Sequence, residues 1–290
     1  MEATLVHNPG AGKGEWSKDR LLELMTRAGI DCDYWSFDDE PLQHQARLRP
    51  SGPILIAGGD GAVSGVLKEL VDRSRPFGIL PTGGSNNMAR SLGVFGSLEE
   101  IVAGLPQASQ RSFGLLQARS GSCLREIAEA IGVGALNGAM DKDSKTRSTA
   151  EKRADGREMG REAIEDAKPI DVQILVDGQP LDEDLLFVEA LNVPMIGPHL
   201  RLGETPHDAG PEFDVAWLPK RDAKRFIEWL RGRAEAEPAP LQRKRARRLL
   251  LKGVHEARID DDFVRYNGAE ILVENDAPAF CLLTPELRKT

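Results

Sequence analysis

Three short apolar runs near the N-terminus are each followed by a glycine-rich turn and then by a stretch with helical spacing. The apolar runs are residues 4–7, 54–57 and 77–80, and the turns after them are residues 8–14, 58–61 and 81–87. Strands that alternate with helices in this way pair in parallel through right-handed crossovers. The sequence therefore predicts an α/β domain with a parallel sheet, in which all three turns lie at one edge and converge on one cleft.

The second half of the chain has fewer windows with helical periodicity and more candidate strands. Residues 170–176 alternate and end at Asp177-Gly178, a pair that is typical of a hairpin turn. Further candidate strands are residues 185–191, 213–218, 249–259 and 270–273. We therefore expect an α/β domain over residues 1–120, onto which a tail of about 276–290 packs back, and a β-rich domain over residues 121–275.

Composition and charge exclude several classes of protein. The 38 Lys and Arg against 46 Asp and Glu give a net charge of -8, which argues against a broad nucleic-acid-binding surface. No apolar run approaches the roughly 18 residues that a membrane span requires, and no targeting segment is recognisable at the N-terminus. Because the three cysteines have no metal-ligand spacing, a structural zinc site and a disulfide framework are both disfavoured. We expect a cytoplasmic protein without a transmembrane span.

A glycine-rich turn between a strand and a helix is suited to phosphate. Its backbone N–H groups point outward, and the dipole of the following helix favours negative charge. The first turn is not a Walker A loop, because His7 stands where that motif needs glycine and no Ser or Thr follows Lys13. Each turn taken alone is equally consistent with a plain structural turn.

Taken in order, the three turns resemble the motifs of the diacylglycerol kinase catalytic-domain family, which includes bacterial lipid kinases and sphingosine kinases. They read Asn-Pro-x-Ala-Gly, Gly-Gly-Asp-Gly and Leu-Pro-x-Gly-x-x-Asn. Weaker similarity continues in residues 130–135, 191–197, 211–215 and 259–262. The resemblance implies a nucleotide-binding α/β domain, a C-terminal β-sandwich domain, and ATP with Mg²⁺ as cofactors.

The resemblance also implies roles for individual residues. The positions that match the nucleotide-binding motifs of the family are Asn8, Pro9, Gly12, Gly58, Gly59, Asp60, Gly61, Gly83, Ser85 and Asn86. Asp60 would in addition help to hold Mg²⁺ or orient a phosphate, and Asp260 would accept the proton of the substrate hydroxyl. A carboxylate suits that role when a hydroxyl is held within hydrogen-bond reach.

Several residues depart from the family pattern. Ala62 and Gly84 stand where the family usually has Thr, Asn87 stands where it has Asp, and Asp261-Asp262 replace Gly-Glu. Ala209-Gly210 replace acidic residues that hold a structural Mg²⁺ in some bacterial relatives. The glycine framework, Asp60 and Asp260 remain, so nucleotide binding is expected even in a member that has little or no turnover.

The implied function is an ATP-dependent lipid kinase that visits a membrane surface and favours a diacylglycerol-like acceptor. Two alternatives stay open, a small-molecule kinase similar to NAD kinases and a nucleotide-binding regulatory protein. A homodimer is also left open, and no nucleic-acid partner is expected.

Three further features have both a structural and a functional interpretation. A basic cluster, defined as Arg243, Lys244, Arg245, Arg247 and Arg248, is either a solvated edge or a dock for anionic headgroups. Residues 141–168 are highly charged and are expected to form a solvated helix or a mobile loop. His7 lies next to the first turn, where a structural role is favoured over a contact with nucleotide.

Overall fold

The computed structural model of the chain describes residues 1–12, 14–37, 51–140, 149–204, 210–232 and 237–285, with only the backbone described at 138–140 and 149–153. The chain divides into two compact units. The first unit comprises residues 1–113 and the C-terminal segment from Pro278, and the second comprises residues 114–277. Among the described residues, no helix combines the length and the hydropathy needed to cross a bilayer.

The first unit is built on a six-stranded sheet flanked by helices. Its strands are β1 (Glu2–His7), β2 (Asp31–Ser36), β3 (Ile54–Gly58), β4 (Pro76–Pro81), β5 (Ser109–Phe113) and β18 (Phe280–Thr284). Its helices are α1 (Lys18–Arg27), α2 (Asp60–Glu69), α3 (Asn87–Ser91) and α4 (Leu98–Gly104). The strand order is β2-β1-β3-β4-β18-β5, and every neighbouring pair is parallel except β18 with β5. The predicted α/β domain with a parallel sheet is confirmed.

Local sequence signals set the ends of α1. The Ser17 hydroxyl accepts a hydrogen bond from the backbone N–H of Arg20 at 3.3 Å, which caps the first turn. Leu21 and Met25 lie four residues apart and are both buried. The helix is followed by Gly29, whose φ of +70° is a left-handed conformation that ends helices readily in glycine. Gly29 is thus the helix stop that the sequence predicts.

The strand order creates a switch point beside β1. The connection after β1 leads to β2 on one side, and the connection after the neighbouring strand β3 leads to β4 on the other side, so the two connections run in opposite directions. In open α/β sheets, ligands bind outside the carboxyl ends of the strands at such a point. The first two glycine-rich turns follow β1 and β3, and therefore flank this switch point.

An aromatic cluster holds the C-terminal strand in the first unit. The ring of Phe280, in β18, lies 6.0 Å from the ring of Phe77, which in turn lies 6.1 Å from the ring of Phe113. All three side chains are fully buried. Because β18 separates β4 from β5, the last strand that the structure describes completes the core of the first unit.

The described residues of the second unit form a ten-stranded antiparallel sheet and two α-helices. The strands of the unit are β6 (Leu116–Ser120), β7 (Cys123–Ile127), β8 (Ala130–Gly134), β9 (Gln173–Val176), β10 (Gln179–Pro180), β11 (Leu185–Leu191), β12 (Met195–Ile196), β13 (Leu200–Arg201), β14 (Phe213–Pro219), β15 (Gln242–Ala246), β16 (Arg248–Ile259) and β17 (Asp262–Glu274). The main order is β15-β14-β11-β8-β16-β17-β6-β7, with β9 and β10 attached through β16, while β12 and β13 form a separate pair. The helices are α5 (Thr149–Glu165) and α6 (Ala223–Gly232). The predicted β-rich character is confirmed.

The hairpin signal of the second unit is also confirmed. Asp177 and Gly178 have φ angles of 51° and 77°, as a two-residue turn of the primed type requires, and β9 and β10 pair on either side of them. The strand before the turn begins at Gln173, three residues later than the alternation predicts. Of the charged segment 141–168, residues 149–165 form α5, and residues 141–148 lie outside the described part.

Replacing Phe280 by Ala should destabilise the first unit by about 3–5 kcal/mol, because the aromatic cluster loses one of its three rings. Chemical denaturation followed by circular dichroism measures this loss. The matched control is Phe95→Ala, since that ring is 53% exposed and its removal should change the free energy of unfolding by less than about 0.5 kcal/mol. Equal stabilities of the two variants would contradict the role given to β18.

Candidate functional site

The first turn is closed by Asn8, directly after β1. The Asn8 backbone N–H donates to the carbonyl of Ala57 at 2.8 Å, and this ties the turn to the end of β3. The Asn8 side-chain oxygen accepts a hydrogen bond from the backbone N–H of Gly10 at 3.0 Å, and its carbonyl accepts one from Ala11 at 3.0 Å. Asn8 therefore shapes the turn locally, as asparagine commonly does.

The three glycine-rich turns meet through their backbones. A Cβ atom at Gly12, whose φ is +63°, would lie 2.5 Å from the carbonyl oxygen of Thr82. A Cβ atom at Gly83 would lie 2.3 Å from the Cα of Gly59 and 2.8 Å from the side-chain oxygen of Asn86. Contacts this short exclude any side chain at these positions. The predicted convergence of the turns is confirmed, and the glycines are what permits it.

Asp60 connects the second turn to the helix that follows the third. It lies in the first turn of α2, is 7% exposed, and accepts a hydrogen bond from the backbone N–H of Met88 at 2.8 Å. Met88 lies near the start of α3, so this bond fixes the beginning of α3 against the beginning of α2. The N-cap of α2 is Gly59, which provides no side-chain cap, and the amide groups of its first turn therefore suit an anion.

Asn86 shapes the third turn. Its φ of 53° is left-handed, a conformation that asparagine adopts more readily than most residues. Its side chain accepts a hydrogen bond from the N–H of Gly83 at 3.0 Å and donates one to the carbonyl of Gly83 at 2.8 Å. Asn87, the departure from the family's Asp, begins α3 and is 2% exposed.

Thr82 is a residue of this site that the sequence did not single out. Its side chain is 8% exposed, and its hydroxyl oxygen has no hydrogen-bond partner in the described part of the chain. Its backbone N–H donates to the carbonyl of Gly58 at 3.1 Å, so Thr82 stands where all three turns meet. The motif leaves this position unspecified, and only the contact with Gly12 reveals it.

In the second unit, Asp260 forms the turn between β16 and β17. It is 5% exposed, with a φ of 51°. One carboxylate oxygen accepts hydrogen bonds from the backbone N–H groups of Glu129 at 2.7 Å and Ala130 at 3.1 Å, and the other accepts one from Ala128 at 3.0 Å. Asn192 binds the same segment, because its side chain donates to the carbonyl of Ala128 at 3.0 Å. Asp260 thus fixes the start of β8, and its role as a base stays a prediction.

A buried ion pair adjoins this turn. The side chains of Arg258 and Glu189 are 3% and 0% exposed, and the Arg258 guanidinium donates a hydrogen bond to the Glu189 carboxylate at 2.6 Å. Arg258 also donates to the carbonyl of Asp260 at 2.7 Å. Both residues lie opposite Gly132 on the strands that flank β8. A Cβ atom on Gly132 would lie 2.2 Å from a Glu189 carboxylate oxygen, so the arginine reaches the glutamate across a glycine. Burial raises the pKa of Glu189, and the charge of Arg258 opposes that rise.

His7 is 1% exposed, and its Nδ1 atom lies 2.8 Å from the hydroxyl of Tyr34, as expected for a structural histidine.

Every member of the basic cluster pairs with a carboxylate, at distances from 2.8 to 3.9 Å; the partners in order of sequence are Glu204, Asp177, Asp214, Glu212 and Glu274. These pairs offset much of the charge that a docking surface would need.

The described part of the chain contains no group of three or more His, Cys, Asp or Glu side chains arranged to hold a metal ion. Ala209, one of the residues that replace acidic positions of the family, lies outside the described residues.

Residues 2–118 match the family model of the diacylglycerol kinase catalytic domain. The family resemblance is confirmed. A diacylglycerol kinase of Bacillus subtilis (strain 168) is 22% identical over 248 residues, which cover 78% of this chain and 76% of that protein. The crystal structure of a diacylglycerol kinase from Bacillus anthracis str. Sterne covers 98% of this chain and 96% of its own, with a TM-score of 0.68 and 15% identity. A second structure from that organism covers 98% and 95%, with a TM-score of 0.71 and 16% identity.

The structural matches share the fold of both units, and the residues that match the family model include all three glycine-rich turns. These similarities support a kinase that acts on a lipid or a small molecule.

Replacing Gly132 by Ala should destabilise the second unit by about 3–5 kcal/mol, because the new methyl group displaces Glu189 and breaks a buried ion pair. Thermal and chemical unfolding provide the measurement. Gly65→Ala is the control, since nothing lies within 4 Å of a Cβ atom at this position. The higher helix propensity of alanine should stabilise α2 by roughly 1 kcal/mol. A Gly132→Ala variant as stable as the wild type would show that the ion pair does not need the glycine.

Proposed function

We propose that the chain is an ATP-dependent lipid kinase that transfers the γ-phosphoryl group to a lipid hydroxyl, with a diacylglycerol-like acceptor favoured. The observation that carries the proposal is the backbone junction of the three turns, through Gly12, Thr82, Gly59 and Gly83, beside the switch point of the parallel sheet. Phosphoryl transfer needs mainly positioned phosphates and stabilised charge. A junction of glycine backbones supplies N–H donors without side chains that would fill the space.

Within this proposal, the residues of the first unit bind the triphosphate. The amide groups at the start of α2 and the hydroxyl of Thr82 would donate hydrogen bonds to phosphate oxygens. Asn8 and Asn86 would hold the first and third turns in the shape that binding requires. Pro9, Gly61 and Ser85 are proposed to line the nucleotide through their places in the same turns.

The donor chemistry at Asp60 fits Mg²⁺, which prefers carboxylate and phosphate oxygens. Bound with the nucleotide, the ion would neutralise phosphate charge. Asp60 would bind the ion through its carboxylate while it keeps the hydrogen bond from the N–H of Met88. Asp60 would in this way couple the starts of α2 and α3 to the bound nucleotide.

A nucleotide-binding regulatory protein is the second candidate, and one observation favours it. Both carboxylate oxygens of Asp260 already accept backbone hydrogen bonds in the interior, and a base must reach a substrate hydroxyl. The departures at Ala62, Gly84 and Asn87 point the same way, since they remove two hydroxyls and a carboxylate from the turns.

Replacing Gly83 by Ala should raise the dissociation constant for Mg-ATP by at least about tenfold, because the methyl group would separate the second and third turns. Calorimetric titration measures the affinity, with Gly65→Ala as the control in the same unit. Wild-type affinity in Gly83→Ala would place the nucleotide elsewhere.

The kinase activity itself is tested with purified protein, Mg-ATP and a mixed lipid extract, with products identified by mass spectrometry. We expect a phosphorylated lipid, which Asp60→Asn should reduce at least about a hundredfold if one carboxylate supplies roughly 2.7 kcal/mol of stabilisation. Binding of Mg-ATP without any phosphorylated lipid, or phosphorylation of a soluble dinucleotide supplied in place of the extract, would reject the lipid kinase.

The proposed base is tested with Asp260→Asn. The amide removes an acceptor that faces backbone N–H groups, so a loss of about 1–3 kcal/mol of stability is expected in any case. If Asp260 is the base, the kcat of the folded variant falls strongly while the KM for ATP is unchanged. Wild-type kcat, measured well below the unfolding temperature, would assign Asp260 a structural role alone.

A further inference from the structure

A pocket of about 330 Å³ lies in the first unit, away from the glycine-rich turns. It is lined by Arg73 and Ser74, which precede β4, and by Phe280 and Cys281, which begin β18. Because β4 and β18 are parallel, these residues lie at the amino ends of the strands. The glycine-rich turns follow the carboxyl ends of β1, β3 and β4, so the pocket lies at the opposite edge of the sheet.

The polar groups of this pocket are basic or neutral. The residues that line it include Arg73, Arg111, Gln110 and Ser112, and none of the described lining residues is acidic. Such a surface is unusual in a chain with a net charge of -8, where acidic groups outnumber basic ones. The pocket therefore favours an anion.

Arg111 contrasts with the basic cluster of the second unit. Its guanidinium donates to the carbonyl of Leu92 at 3.4 Å, and it forms no ion pair with any residue that the structure describes. In the basic cluster, every cation has a carboxylate within 3.9 Å. The charge of Arg111 is therefore available to a ligand from outside the chain.

Two groups near the start of β18 contact Arg73. Its guanidinium stacks over the ring of Phe280 at 4.7 Å and donates to the carbonyl of Pro278 at 3.3 Å. The nearby carboxylate of Asp72 accepts hydrogen bonds from the N–H and the hydroxyl of Ser74, at 3.0 and 2.6 Å, and these bonds hold the pKa of Asp72 below its usual value. A side chain positioned in advance loses less entropy when it binds.

We propose that this pocket binds a small ligand through a phosphate group. Planar guanidinium groups match phosphate oxygens in charge and geometry. The volume lies at the lower end of the range for ligand pockets, which suits a phosphate monoester better than a nucleotide. The phosphate belongs either to a soluble molecule or to a lipid headgroup. The inference does not depend on the proposed kinase activity.

The test compares two variants that remove one exposed arginine each. Arg111→Met removes the unpaired guanidinium of the pocket, and Arg119→Met removes an exposed arginine of β6 in the second unit. Inorganic phosphate and glycerol 3-phosphate are titrated by calorimetry, and phosphatidylcholine vesicles with and without phosphatidic acid are tested by co-sedimentation. Gly83→Ala is titrated as well, to separate this pocket from the glycine-rich turns.

We expect the dissociation constant for the phosphate-bearing probe to rise about tenfold or more in Arg111→Met and to stay unchanged in Arg119→Met and Gly83→Ala. Loss of affinity confined to the soluble probes identifies a soluble ligand, and loss confined to the vesicles identifies a headgroup; either supports the pocket. Equal affinity in Arg111→Met and the wild type, loss in Gly83→Ala alone, or no binding of any probe would overturn it.

Discussion

The candidate site of the first unit depends on close contact between peptide backbones. Gly12 lies against the carbonyl of Thr82, and Gly59 lies against Gly83. The contacts are so close that a methyl group at Gly12 or at Gly83 would clash with the neighbouring turn. Hydrogen bonds from Asn8 and Asn86 then fix the turns in place. The chemistry of the site is therefore carried mainly by amide groups and helix termini, and the departures at Ala62 and Gly84 leave that framework whole.

The second unit uses a missing side chain for a different purpose. Gly132 in β8 leaves room for the carboxylate of Glu189, and Arg258 reaches it from the strand on the other side. A buried ion pair gains little net stability, because desolvation offsets most of the attraction, but breaking it exposes an unpaired charge to the interior. The same arginine binds the carbonyl of Asp260, so the pair also holds the turn that contains the proposed base.

The sequence predicts the elements that local chemistry decides. The periodicity of apolar residues and the positions of glycines are sufficient to predict the α/β units, the end of α1 at Gly29 and the hairpin at Asp177-Gly178. Arg258 and Glu189 are far apart in sequence and meet only because of strand order, so no spacing rule could pair them. Thr82 occupies an unspecified motif position, and the partly buried strand β2 lacks the continuous apolar run that predicts β3.

Hydrogen exchange with and without Mg-ATP tests the central claim most directly, because it reports on the backbone amides that form the site. The account predicts that nucleotide slows exchange in all three turns together, at residues 8–12, 58–61 and 82–87. Protection of a single turn, or protection confined to segments outside the three turns, would contradict a nucleotide site built from their junction.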